Sequence, residues 1–161
     1  YITTPILMLL LEEIDRVDEI VVMMQKEVAD RIMAQPGTKD YGVLTLSVQY
    51  YAEVSQVCRV SRGSFMPSPN VDSTVLHLKR RRAERFEEEK LLFSVIRAAF
   101  GQRRKTLQNA LSTGLHLDKQ TVTNGIMNVG LSPQVRGETL RLQDFIAISR
   151  EIRRNDAKAE L

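Results

Sequence analysis

The stretch Phe65-Met66-Pro67-Ser68-Pro69-Asn70-Val71-Asp72-Ser73 decides how the first half of this chain is read. Each proline fixes its own φ near about −65° and pushes the residue before it toward extended backbone, so residues 66–69 are expected to form a semi-rigid extended ribbon. No helix fits there. Residues 53–60 before the ribbon and 71–79 after it read as strands, and with no helix between them they are expected to run antiparallel. Phe65 then stands at the end of a stiff arm, where its ring is placed to hold a flat ligand. An ordinary strand-connecting loop whose phenylalanine caps the core accounts for the same residues.

Toward the N-terminus, Ile20-Val21-Val22-Met23-Met24 is a continuous apolar run bounded by charge, which predicts a central strand of a parallel sheet. Helices are expected over residues 26–34, ending before Pro36-Gly37, and over residues 43–51. Thr4 followed by Pro5 marks a further helix start, with the helix running over residues 5–16. Its residues Ile6 to Leu11 are apolar on every side, so it is expected to be packed on both faces. The order helix, strand, helix, helix, strand, strand matches the second half of a doubly wound sheet with an antiparallel last strand. No Gly-rich turn follows a strand anywhere, because the eight glycines are isolated. Without the first half of such a sheet, the first helix and first strand would leave an apolar patch and an open sheet edge.

Beyond Lys79 the strand signal disappears. Arg80-Arg81-Arg82 reads as a solvated linker. A helix is expected over residues 86–100, with Leu91, Leu92, Val95, Ile96, Ala99 and Phe100 inward and Gly101 terminating it. Arg103-Arg104-Lys105 is expected to open the next helix, which carries Leu107 and Leu111 and stops at Gly114. Asp118 caps another, ended by Gly130, and a last helix spans residues 142–153. This half is basic: residues 79–161 hold 17 Lys/Arg against 10 Asp/Glu, whereas residues 1–78 hold 6 against 10. The split points to a nucleic-acid or other polyanionic partner, although a solvated charged surface would look the same. The basic triplet at a helix start opposes the helix dipole, so a phosphate is its expected counter-charge.

Composition excludes other classes. The single cysteine, Cys58, forms no internal disulfide, which fits a cytoplasmic protein. His77 and His116 have no Cys or carboxylate at ligand spacing, so no metal site is expected. The run ending at Glu12-Glu13 is too short to span a bilayer, and no signal peptide is expected.

Three ordered blocks carry a resemblance: Tyr1-Ile2-Thr3-Thr4-Pro5-Ile6, the Phe65–Ser73 stretch, and Phe100-Gly101-Gln102-Arg103-Arg104-Lys105-Thr106-Leu107. Together they resemble the small-subunit ribosomal RNA adenine dimethyltransferases. These are S-adenosylmethionine enzymes that convert two neighbouring adenosines near the 3′ end of that RNA to N6,N6-dimethyladenosine, a step of ribosome biogenesis. The resemblance implies a fold of class α/β plus α: the C-terminal half of a Rossmann-like class I methyltransferase sheet, followed by a small all-α domain. It implies domains at residues 1–79 and 86–161, the second RNA-binding, joined by a linker at 80–85. Phe65 is implied as a wall of the target-base pocket with Pro67 as its stiffener, and Arg103, Arg104 and Lys105 as RNA contacts. The implied partner is small-subunit ribosomal RNA in the pre-30S particle. The family's Asn-Leu-Pro-Tyr acceptor tetrad would stand just before Tyr1, and its Gly-rich cofactor turn further upstream. The chain is therefore expected to hold no catalytic or cofactor-binding residue and to be inactive alone. Two alternatives remain: a non-catalytic nucleic-acid-binding module built on a helix-turn-helix pair, and a sister large-subunit methyltransferase of the macrolide-resistance type.

Overall fold

The computed structural model describes residues 2–82 and 85–159. Tyr1, where the first resembling block begins, and residues 83 and 84 of the expected linker lie outside the described residues. The chain divides into two compact units, one of residues 1–35 with 44–83 and one of residues 36–43 with 84–161.

In the first unit, helix α1 (Thr3–Glu13) begins earlier than the Thr4-Pro5 pair suggests and ends earlier than residue 16. Its N-cap is Ile2, whose carbonyl accepts from Ile6 N at 3.1 Å. Pro5 is harmless in this first turn because the first four N–H groups of a helix have no acceptor within it. Only Leu7 and Leu11 are buried, while Ile6 and Leu9 stay 48% and 53% exposed. The helix is thus covered on one face, not two. Strand β1 (Glu19–Gln25) leads directly into α2 (Lys26–Ile32), and α3 (Val43–Tyr51) leads directly into β2 (Ala52–Val60). Strand β3 (Ser73–Arg80) lies between the other two and is antiparallel to both, with a register break at Gln56/Cys58.

The expected parallel, doubly wound arrangement is therefore corrected. Ile20, Val22 and Met24 lie opposite Leu78, Leu76 and Thr74 on the covered face, where α2 packs against β1 and β3. Val21 and Met23, on the other face, remain 66% and 46% exposed. An apolar run announces two faces that favour cover, but it does not name the neighbouring strand or its direction. Both α1 and β1 thus keep exposed apolar residues on one face.

The linker reading of the arginine triplet also changes. Arg80 is the last residue of β3 and only 9% exposed, with its guanidinium donating to main-chain carbonyls at the end of α1. Arg81 donates to Gln49 O at 2.8 Å, and Arg82 pairs with Asp18.

The second unit is helical: α4 (Glu89–Gly101), α5 (Leu107–Leu115), α6 (Lys119–Asn128) and α7 (Leu142–Ala159). Asp118 caps α6 as expected, its carboxylate accepting from Thr121 N at 3.1 Å. Gly114 does not end α5. It stays helical, and the left-handed cap is His116, at φ 55°. A Cβ on Gly114 would lie 2.5 Å from Ala98 Cβ, so the missing side chain is what lets α5 close on α4. Gly137 makes the same allowance for the neighbouring Ala99, where a Cβ would stand 2.9 Å away. The core of this unit is Leu92, Val95, Ile96, Leu107, Leu111, Val122, Ile126, Phe145, Ile148 and Ile152. Phe145 packs on Phe100 and Phe100 on Tyr41, with ring centres 6.2 Å and 6.0 Å apart.

Candidate nucleic-acid interface

The Phe65 loop is closed by its own polar groups. Ser61 caps a short 3-10 turn (Arg62–Ser64) by accepting from Gly63 N at 3.2 Å. Arg62 N donates to Asp72 Oδ1 at 2.9 Å, Arg62 Nη1 to Asn70 O at 3.4 Å, and Ser68 Oγ to Arg62 O at 2.9 Å. Lys26 N donates to Asp72 O at 3.0 Å, which ties the loop to the start of α2. The loop is stiff for a different reason from the one its prolines suggest. Its backbone bends at residues 65–67, where the Met66–Pro67 peptide is cis, and cross-loop hydrogen bonds replace the straight ribbon.

On this frame Phe65 is half-buried, neither sealed in the core nor fully in solvent. No aromatic ring among the described residues stacks on it. Pro67 is exposed, and Met66 is 97% exposed. A half-buried ring on a loop closed by hydrogen bonds keeps part of its surface exposed.

The basic triplet lies in the turn between α4 and α5 rather than inside α5. Its three members have different surroundings. Arg103 Nε meets Glu138 Oε2 at 3.0 Å, and its Nη2 donates to Thr38 O at 3.1 Å and Tyr41 O at 3.4 Å. It braces residues 36–43 against the 3-10 turn Gly137–Thr139. Arg104 and Lys105 are exposed and have no ion-pair partner among the described residues. The first amides of α5 are taken by main chain, Leu107 N donating to Val135 O at 2.6 Å and Gln108 N to Pro133 O at 3.3 Å. That contact carries Arg136, exposed and without a side-chain partner among the described residues, up to the start of α5. Sequence reading missed Arg136, since nothing local links it to residues 104 and 105.

Two other titratable groups are held by neighbours within the fold. Tyr41 is buried and donates to Leu140 O at 2.6 Å, and burial, helped by the Asp144 charge, pushes its pKa up to about 12. His77, on the central strand, meets Glu19 at 2.7 Å. Among the described residues no group of three or more His, Cys, Asp or Glu could hold a metal ion, and no helix is long and apolar enough to cross a membrane. The β1-to-α2 junction, Gln25 to Lys26, contains no glycine, so this junction does not form the Gly-rich turn of a nucleotide-type cradle.

Comparison with known proteins identifies the family. The family model for ribosomal RNA adenine dimethylase matches residues 1–153. The ribosomal RNA small subunit methyltransferase A of Bacillus cytotoxicus is 50% identical over 154 residues, covering 92% of this chain and 53% of that protein. The protein of the same name from Bacillus mycoides is 49% identical with the same coverage. The chain thus spans about half the length of these relatives. Among solved structures, a dimethyladenosine transferase from Plasmodium falciparum superposes with a TM-score of 0.80 at 24% identity, over 96% of this chain and 64% of that one. The 23S rRNA methyltransferase ErmE gives 0.65 at 22% identity, over 94% and 61%. These two likenesses concern the fold. They complete the correction of the expected fold class: what is matched is a small antiparallel sheet with helices, and its description as the C-terminal half of a doubly wound sheet is given up. The chain belongs to the ribosomal RNA adenine dimethylase family.

Proposed function

We propose that the protein carrying this chain transfers methyl groups from S-adenosylmethionine to N6 of two adjacent adenosines near the 3′ end of small-subunit ribosomal RNA. The observation that carries this reading within the family is the half-buried Phe65 ring, held on a loop closed between Arg62 and Asp72. Adenine N6 is a weak nucleophile because its lone pair is delocalised into the ring. Methylation therefore needs the base out of its stack, flat, and oriented. Extrusion costs a few kcal/mol, and stacking on an aromatic side chain returns about 1 to 3 kcal/mol. Phe65 is the stacking wall, with Pro67 beside it shaping the loop. Arg104, Lys105 and Arg136 grip backbone phosphates, as suits recognition of folded RNA by shape, while Arg103 holds the turn that presents its neighbours.

The names of the relatives at 49–50% identity favour the small subunit over the large-subunit substrate named for the structural neighbour at 22%. The test is Phe65→Ala in the full-length protein, assayed for methyl transfer to 30S particles and for RNA affinity. Turnover is expected to fall at least tenfold, corresponding to about 1.4 kcal/mol of lost stacking, with affinity nearly unchanged. A variant that methylates normally removes Phe65 from the pocket.

A further inference from the structure

Beside the Phe65 loop lies a groove of ≈ 350 Å³ lined by Lys26, Glu27, Arg62, Asn70, Val71 and Asp72. Resting on the function proposed above, we infer that this groove takes the ribose–phosphate unit next to the stacked base, and that Glu27 reads its 2′-hydroxyl. The volume is at the small end of the roughly 300 to 1,000 Å³ of ligand sites, which suits one sugar and phosphate rather than a length of strand. Its lining is mixed in the way such a unit requires. Arg62 has no carboxylate partner among the described residues, and its guanidinium makes a single contact, to Asn70 O at 3.4 Å. Most of its five N–H donors therefore remain for a phosphate oxygen.

Two carboxylates stand in the same groove. Asp72 is committed through Oδ1 to Arg62 N, whereas Glu27 is exposed and has no partner among the described residues. Lys26 is balanced by Asp30 at 2.7 Å. A site for a bare anion would not keep a free carboxylate beside its arginine. A ribose–phosphate needs both: donors for the phosphate and an acceptor for the sugar hydroxyl. The 2′-hydroxyl is also the group that separates RNA from DNA. The groove's arginine and the ring sit on the same loop, where Phe65 N donates to Arg62 O at 3.4 Å.

The test titrates the 161-residue chain with a labelled adenosine-containing RNA oligonucleotide and its all-deoxy counterpart across a salt series. Glu27→Gln is expected to reduce the preference for RNA over DNA by about tenfold, the factor of one charge-assisted hydrogen bond, and to leave DNA affinity unchanged. Arg62→Gln is expected to lower the slope of log affinity against log salt by about 0.7, one single-strand phosphate contact. Either variant leaving its measurement unchanged overturns the inference. If Arg104→Ala with Lys105→Ala still lowers the slope in that case, the proposed function stands and only the groove assignment falls. A wild-type chain with no salt-dependent RNA binding overturns both.

Discussion

Replacing Arg80 tests whether a guanidinium can serve as the C-terminal cap of a helix. Arg80 Nη2 donates to Leu10 O and Ile14 O at 2.8 Å each, Nη1 to Leu11 O at 2.9 Å, and Nε to Val17 O at 2.7 Å. Leu10 and Leu11 are in the last turn of α1, where carbonyls lack intrahelical partners and the dipole favours a cation. Arg80→Ala strands up to four acceptors, each costing about 1 to 3 kcal/mol where water cannot reach. Ile14 O and Val17 O belong to a more exposed segment and rehydrate, so the net loss is about 3 to 5 kcal/mol. Arg80→Lys keeps the charge without the planar fork and should lose about half as much. Arg82→Ala is the control, because its pair with Asp18 is exposed on both sides and worth at most about 1 kcal/mol. Urea unfolding gives the stabilities, and hydrogen exchange at the α1 amides shows whether the loss is local. Arg80→Ala within about 0.5 kcal/mol of wild type, with α1 protection intact, would refute the cap.

Further outcomes are expected for two glycines, two arginines and Tyr41. Gly114→Ala should destabilise the helical unit by about 1 to 3 kcal/mol, because its Cβ meets the rigid Ala98 Cβ at 2.5 Å. Gly125→Ala, where the nearest atom is Ile152 Cγ1 at 3.5 Å, should stabilise it by up to about 1 kcal/mol through helix propensity, and urea midpoints of the pair check the contrast. Arg103→Ala should cost about 1 to 2 kcal/mol of stability, after allowing for solvent around its ion pair with Glu138, and barely move the salt dependence of RNA binding. Arg104→Ala should do the reverse, lowering the salt slope by roughly 0.7 to 0.9 at no cost in stability, as measured by parallel titration and unfolding. Tyr41 has its pKa raised from 10.0 to about 12, so its contribution is complete below pH 10 and is lost as pH rises toward 12, because the unfolded chain ionises first. In Tyr41→Phe that alkaline decline should be shallower, as read from urea midpoints across pH 9 to 12.

What was legible in the sequence was whatever depends on near neighbours. The helix over residues 43–51 falls where its pattern places it, β2 and β3 pair antiparallel across the proline loop, and Asp118 caps α6. Strand direction was not legible for β1, because Ile20 to Met24 records only how apolar the segment is. Gly114 was misread for a related reason: a glycine that ends a helix and a glycine that admits a neighbouring helix are the same residue, and only Ala98 tells them apart. The candidate site divides in the same way. Two prolines ahead of a strand are enough to place Phe65 on a loop, but the groups that close the loop are Arg62 and Asp72, ten residues apart. For the arginines the limit is more general. Counting them gives the number of cations, while the acceptors that fold against each one decide which remain free for phosphate. Arg80 is occupied by the end of α1, and Arg103 by Glu138 and two carbonyls. Arg104, Lys105 and Arg136 are left outward because no acidic side chain among the described residues pairs with them. The surface proposed to grip RNA is thus set as much by where acceptors are missing as by where basic residues occur.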